Sequence, residues 1–169
     1  CSFVTARGFE PYSIYTKRIA REGKLLTHDS DQAVLTLLKT ADVIERDFMI
    51  VNPHDSLEQL VRVVEESKRN LFPVTDKEGC LQGIVSLDDI RPIMFHRELY
   101  GNVLVYELMQ RPIEYVFIEE RMESVMEKFE RTGAWNLPVL DQGFHYVGFV
   151  SKSRILSSYR EQLSQVSHE

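Results

Sequence analysis

Phe72-Pro73-Val74-Thr75-Asp76-Lys77-Glu78-Gly79-Cys80-Leu81-Gln82-Gly83-Ile84-Val85-Ser86-Leu87-Asp88-Asp89-Ile90 returns 65 positions later as Leu137-Pro138-Val139-Leu140-Asp141-Gln142-Gly143-Phe144-His145-Tyr146-Val147-Gly148-Phe149-Val150-Ser151-Lys152-Ser153-Arg154-Ile155. The alignment runs without a gap from Arg46 to Ile90, and eleven of its 45 positions are identical. Average residue usage would give roughly three. Other pairs keep their apolar character, among them Leu57/Met122, Leu60/Val125 and Val64/Phe129. Two copies are too few for a solenoid. They make a duplicated unit with approximate two-fold symmetry, each copy burying its apolar face against its twin.

Within a copy the hydrophobic period changes in a fixed order. Met49-Ile50-Val51 reads as a short strand ended by Asn52-Pro53. Asp55 or Ser56 can cap a helix whose apolar positions Leu57, Leu60, Val61 and Val64 share one face. Phe72-Pro73-Val74 is a strand that opens near a proline, turn residues follow at Asp76 to Gly79, and Leu81 to Val85 returns as the partner of a hairpin. Ser86 caps a last helix expected to run through Ile90 to Phe95. The second copy repeats this with Tyr115 to Ile118, a helix on Met122, Val125, Met126 and Phe129, strands at Pro138 to Leu140 and Tyr146 to Val150, and a helix from Lys152. The fold class is therefore α/β (α+β), two β-α-β-β-α repeats over residues 42–98 and 105–163. A linker and capping helix over 1–41 precede them, with Asp29, Ser30 and Asp31 in the helix's first turn and Ala33, Val34, Leu37 and Leu38 on its apolar face.

Composition narrows the function. The 169 residues are 43% hydrophobic and 27% charged, ordinary for a folded chain. A net charge of −6 makes a poor partner for nucleic acid, which attracts clustered positive charge. The longest stretch free of charge, Gln142 to Ser151, is too short to span a bilayer as a helix. Two cysteines, Cys1 and Cys80, make no disulfide framework and fit a reducing compartment. The start at Cys1 and not at methionine suggests a piece of something longer. Residues 1–25 carry five basic side chains against two acidic, a net +3, which leaves −9 for the remainder. This basic stretch is either a solvated leader or a juxtamembrane segment on a cytoplasmic face. The five histidines are scattered without zinc-like spacing, and no Walker loop or nucleophile elbow is present. Neither a metal nor an enzymatic activity is expected.

An apolar-Pro-Val strand followed by Gly-x-x-Ser at the end of the next strand resembles a CBS domain. Phe72-Pro73-Val74 with Gly83-Ile84-Val85-Ser86 makes one match, and Leu137-Pro138-Val139 with Gly148-Phe149-Val150-Ser151 the other. The tandem, over about residues 42–160, is similar to a Bateman module, a regulatory unit of channels, transporters and metabolic enzymes. Glu10-Pro11-Tyr12-Ser13-Ile14-Tyr15-Thr16-Lys17-Arg18 with Leu25-Leu26-Thr27-His28-Asp29 resembles the segment after the last membrane helix of bacterial ClC-type chloride channels and transporters. Trp135-Asn136-Leu137-Pro138 and Asp88-Asp89-Ile90-Arg91 are similar to the same subgroup.

The resemblance implies an adenine nucleotide (ATP, ADP or AMP) held between the copies. It also implies a homodimer, a membrane domain in the same polypeptide, and a place on the cytoplasmic face of the bacterial inner membrane. Asp89 stands where ribose hydroxyls would be accepted and Ser86 on the phosphate side. Ile113, Tyr115, Ala134, Trp135 and Asn136 of the second copy would complete that cleft, with Trp135 stacking on the base. Two plainer readings stand beside these: Ser86-x-x-Asp89 also makes a helix capping box, and Trp135 could be core. A second cleft would use Ser151, Lys152, Arg154 and Asn70, with Arg154 in place of the ribose-binding aspartate. Two cations in a helix's first turn oppose its dipole, so they point either to a bound anion or to a salt bridge or solvated arginine. In every case the two clefts are expected to differ.

Overall fold

The computed structural model describes residues 36–167. The basic leader and the start of the helix expected from Asp29, including Ala33 and Val34, lie outside the described residues. Helix α1 spans Leu57–Glu66, strands β1 and β2 span Leu71–Thr75 and Leu81–Ser86, and a single turn, α2, spans Leu87–Ile90. A second one-turn helix, α3, covers Val105–Leu108. The second copy contributes β3 (Val116–Phe117), α4 (Met122–Thr132), β4 (Asn136–Leu140), β5 (Tyr146–Ser151) and α5 (Lys152–Ser167).

The two hairpins are the same object. β1 and β2 are antiparallel with Leu71 opposite Ser86 and Val74 opposite Gly83, and β4 and β5 repeat this with Asn136 opposite Ser151 and Val139 opposite Gly148. Even the register shift recurs, between Val74 and Thr75 in one and between Val139 and Leu140 in the other. Asp76 explains the shared turn: its Oδ1 accepts the N–H of Glu78 and of Cys80, both at 2.9 Å. Asp141 does the same for Gly143 and His145. Side-chain acceptance of this kind substitutes for a backbone turn.

A leading parallel strand is where the copies diverge. β3 pairs Val116 with Val139 and Phe117 with Leu140, and the Ile118 N–H continues to the Leu140 carbonyl at 2.9 Å. In the first copy the expected strand shrinks to one bridge, Val51 to Val74. Pro53 occupies the position of Ile118 and has no N–H to continue the ladder. A proline also shortens the expected Ser86–Phe95 helix. α2 stops at Ile90, and turns follow through Phe95, because Pro92 cannot bond back to the Asp88 carbonyl.

Each copy is completed by the segment that precedes the other. Leu38 and Val43 lie in one core with Val116, Met122, Val125, Phe129, Leu137 and Ile155 of the second copy. Val105 lies in the other core, with Leu57, Leu60, Phe72, Val85 and Ile90 of the first. Glu45 exchanges two backbone hydrogen bonds with Phe149, at 2.8 and 3.0 Å, and Gln110 exchanges two with Ile84, both at 2.9 Å. Glu45 and Gln110 are 65 residues apart, as are Ile84 and Phe149. At the hairpin tips Cys80 bridges His145, its own counterpart, so the pseudo-two-fold axis passes between them. The crossing explains two glycines. A Cβ on Gly148 would meet the Glu45 carbonyl oxygen at 2.6 Å, and one on Gly83 would meet Met109 at 3.0 Å and the Gln110 carbonyl oxygen at 3.1 Å.

Candidate functional site

The crossing of lead-ins builds a cleft of about 220 Å3 at the seam. Ser86 and Asp89 stand on one wall, and Ile113, Ala134 and Asn136 on the other, so five of the seven residues expected in the first cleft meet there. The Ser86-x-x-Asp89 capping box is formed. The Asp89 N–H donates to Ser86 Oγ at 3.2 Å, and Asp89 Oδ2 accepts both the Ser86 N–H (3.0 Å) and the Ser86 hydroxyl (2.7 Å). The other carboxylate oxygen, Oδ1, accepts from Gln110 Nε2 at 2.9 Å. Asp89 is therefore helix cap and cleft wall at once. A ligand hydroxyl that reaches Oδ1 would exchange with a neutral amide on the lead-in of the second copy.

Tyr115 and Trp135 do not line this cleft. Tyr115 packs edge-on against Phe117, with ring centroids 5.4 Å apart, and its carbonyl oxygen accepts from Lys128 Nζ at 2.8 Å. Trp135 is 72% exposed, so it is not core. Lys152 Nζ lies 5.3 Å from its ring centre, and the Lys152 N–H donates to the Trp135 carbonyl at 3.1 Å. The indole thus shields a first-turn cation, a favourable arrangement in itself. Glu114, between Ile113 and Tyr115, also lines the cleft, and so do Gln110, Arg111 and Phe149, which were not singled out as site residues. Of these, Arg111 is exposed at the mouth, while Glu114 is held by Lys128 at 3.9 Å and by Arg131. The identity of Arg46 and Arg111 across the repeat was the one signal that pointed there.

The second seam is built differently. Ser151 Oγ accepts the Arg154 N–H at 3.1 Å and donates to Glu45 Oε2 at 2.9 Å. Arg154 and Asn70 are exposed. The Asn70 carbonyl accepts the Leu87 N–H at 2.8 Å, which anchors the first copy's helix and not the second seam. Arg69 Nη2 donates to Glu45 Oε1 at 3.1 Å, and its Nε and Nη2 grip Asp47 at 2.9 and 2.7 Å. That fork lowers the Asp47 carboxyl from its ordinary value, and Asp47 in turn raises Arg69. Nearby, the Tyr146 hydroxyl is buried without a partner among the described residues, and burial pushes the phenol well above its usual range. At the hairpin tip Asp76, Glu78 and Cys80 bring possible ligand atoms within 4.8 Å of one another. Asp76 is already committed there to the N–H groups of Glu78 and Cys80 and to Gln82.

Comparison with known proteins agrees with this architecture. The CBS domain family matches twice, over residues 41–95 and 105–161. A homoserine O-acetyltransferase of Methanosarcina acetivorans is 26% identical over 124 residues, which is 73% of this chain and 22% of that protein. The chain thus spans under a quarter of the length of that curated relative. Among solved structures, CbpB in complex with c-di-AMP superimposes with a TM-score of 0.68 at 16% identity, covering 83% of this chain and 96% of that one. The CBS domain of a bacterial CNNM/CorC family Mg2+ transporter in complex with ATP gives 0.67 at 14% identity, covering 77% and 92%.

Proposed function

This chain belongs to the CBS domain family, and from that premise we propose that it is a regulatory module that binds an adenine nucleotide (ATP, ADP or AMP) in the first cleft. The observation that carries the reading is Asp89. Its carboxylate sits on one wall of a seam cleft whose opposite wall includes the apolar Ile113 and Ala134, and among the described residues its Oδ1 is held by the exchangeable amide of Gln110. Ribose hydroxyls suit that acceptor, and Ile113 and Ala134 suit a purine face. The complexes of related folds with ATP and c-di-AMP support the same ligand class. Titration calorimetry with AMP, ADP and ATP tests the reading. Asp89→Ala should weaken binding about 10- to 100-fold, the equivalent of about 1.5–3 kcal/mol for a hydrogen bond to a charged group. No heat from any of the three at millimolar concentration rejects it.

The finer reading is a homodimeric cytosolic part of a ClC-type chloride channel or transporter, at the cytoplasmic face of the bacterial inner membrane. The segments Glu10–Arg18, Leu25–Asp29, Asp88–Arg91 and Trp135–Pro138 support it by resemblance. A ligand regulates such a partner only by binding its states unequally, and the crossed lead-ins are the mechanical route, since residues 38–45 run from the leader into the second copy's core. Coding sequence ahead of Cys1 tests this: a series of apolar membrane helices supports it, and a soluble catalytic domain overturns it. A second reading, a CBS regulator of another transporter or of an enzyme, is favoured by the names of the relatives. A third, a ligand-free dimerisation module, is favoured by the bonds Asp89 already makes.

A further inference from the structure

The repeat allows the two clefts to be compared position by position. Where the first cleft has Ala134, the second has Arg69, and where the first has Ile113, the second has Phe48. Gln110 is matched by Glu45, and Asp89 by Arg154. These exchanges change what fills the space. Ile113 is 78% exposed, a side chain standing at an open wall, whereas Phe48 is 8% exposed and packs its ring 4.5 Å from that of Phe149. The Arg69 guanidinium also lies over the Phe48 ring, 4.7 Å from its centre. Its edge is held by Glu45 and Asp47. A cationic group over an aromatic ring thus stands at the positions that Ala134 and Ile113 hold in the first cleft.

The polar side of the second seam is used up in the same way. Ser151, the counterpart of Ser86, donates its hydroxyl to Glu45. A carboxylate therefore occupies the position from which a phosphate would be recognised, and like charges repel. The ribose acceptor is absent, because Arg154 has replaced it. Base, sugar and phosphate positions are each either filled or of the wrong polarity.

We infer that Phe48 and Arg69 seal the second cleft from within, so that each chain takes up a single nucleotide, at the first cleft. This rests on the nucleotide reading above and adds the stoichiometry and the residues that set it. The seal also ties the lead-in at 45–48 to the end of α1, which leaves the Gln110 lead-in as the one a ligand can move.

Calorimetry of the full 169-residue chain with AMP and with ATP decides the matter. The expected result is one nucleotide per chain. Ala134→Arg, which carries the seal into the first cleft, should weaken binding at least tenfold while circular dichroism stays as in the parent. Glu45→Gln, Phe48→Ile, Arg69→Ala and Arg154→Asp together give the second seam the first one's residues at the four compared positions, and the stoichiometry should rise to two. Two nucleotides per parent chain overturn the inference and leave the nucleotide reading standing. So does unchanged affinity in Ala134→Arg, or a folded quadruple variant that still takes one. If the quadruple variant fails to fold, the parent stoichiometry and Ala134→Arg still decide. No binding by the parent chain rejects both.

Discussion

The first and second seams descend from one repeat and share a backbone, yet they differ in what holds them shut. The first is spanned by a hydrogen bond between a neutral amide and a carboxylate, Gln110 to Asp89. The second is spanned by the Ser151 hydroxyl donating to the Glu45 carboxylate, which Arg69 also holds, and by the buried Phe48 ring against Phe149. A pseudo-two-fold fold therefore imposes equal geometry without equal chemistry. Side chains decide which interface can exchange its contacts for a ligand's.

Substitutions at paired positions test how far this difference goes. The largest effect is expected at the glycines. Gly148→Ala drives a Cβ into the Glu45 backbone, which cannot move without losing its pairing to Phe149, and should cost about 2–3 kcal/mol. Gly83→Ala presses mainly on the flexible Met109 side chain and should cost about 1 kcal/mol. Urea unfolding of the pair measures both. Equal losses would mean that the two lead-ins are held alike.

Next comes Arg69→Ala, expected to cost about 1–2 kcal/mol, because it leaves the half-buried Glu45 carboxylate without its charged partner. The caps follow. Ser86→Ala should cost about 1 kcal/mol, the usual worth of an N-cap. Ser151→Ala should cost somewhat more, since its hydroxyl also holds Glu45 across the seam. Thermal unfolding with the ligand absent reads the cap alone, and a Ser86→Ala chain as stable as the parent would show that the capping box contributes nothing. Tyr146→Phe removes a hydroxyl that has no partner, so its stability should stay within about 0.5 kcal/mol of the parent or rise. A loss above that would reveal a bound water or an undetected acceptor.

The smallest effect expected is a pH dependence. Asp47 is lowered from its ordinary value, first by the hydrogen bond from Arg69. A carboxyl depressed in the folded state contributes stability that is present above its unfolded pKa, about 3.9. That contribution is lost as pH falls through the lower, folded value. The parent chain should therefore lose slightly more stability between pH 5 and pH 2 than Arg69→Ala does. Identical acid profiles would show that the Asp47–Arg69 contact is not formed in solution.

Much of this molecule was legible before any coordinates. The 65-residue repeat carried the hairpins and both long amphipathic helices, because local period and turn chemistry are written in neighbouring residues. Two misjudged elements, the leading strand and the helix after Ser86, fail at Pro53 and Pro92, where a missing N–H outweighs an apolar run. Ser86, Asp89, Ile113, Ala134 and Asn136 line one cleft, and each lies in or near the repeated motifs. Trp135 and Tyr115 do not line that cleft, because aromatic character does not say which way a side chain points from a strand end.

From the sequence alone came the duplication, the order of elements and the acidic side chain at the mouth of one cleft, all properties of adjacent residues or of one fixed offset. Only the tertiary structure decided that each lead-in crosses to the other copy, that Gln110 holds Asp89, and that Phe48 and Arg69 fill the second seam. These contacts join residues far apart in the chain, and their energy depends on burial and on charge neighbours that exist only once the two copies have closed on each other.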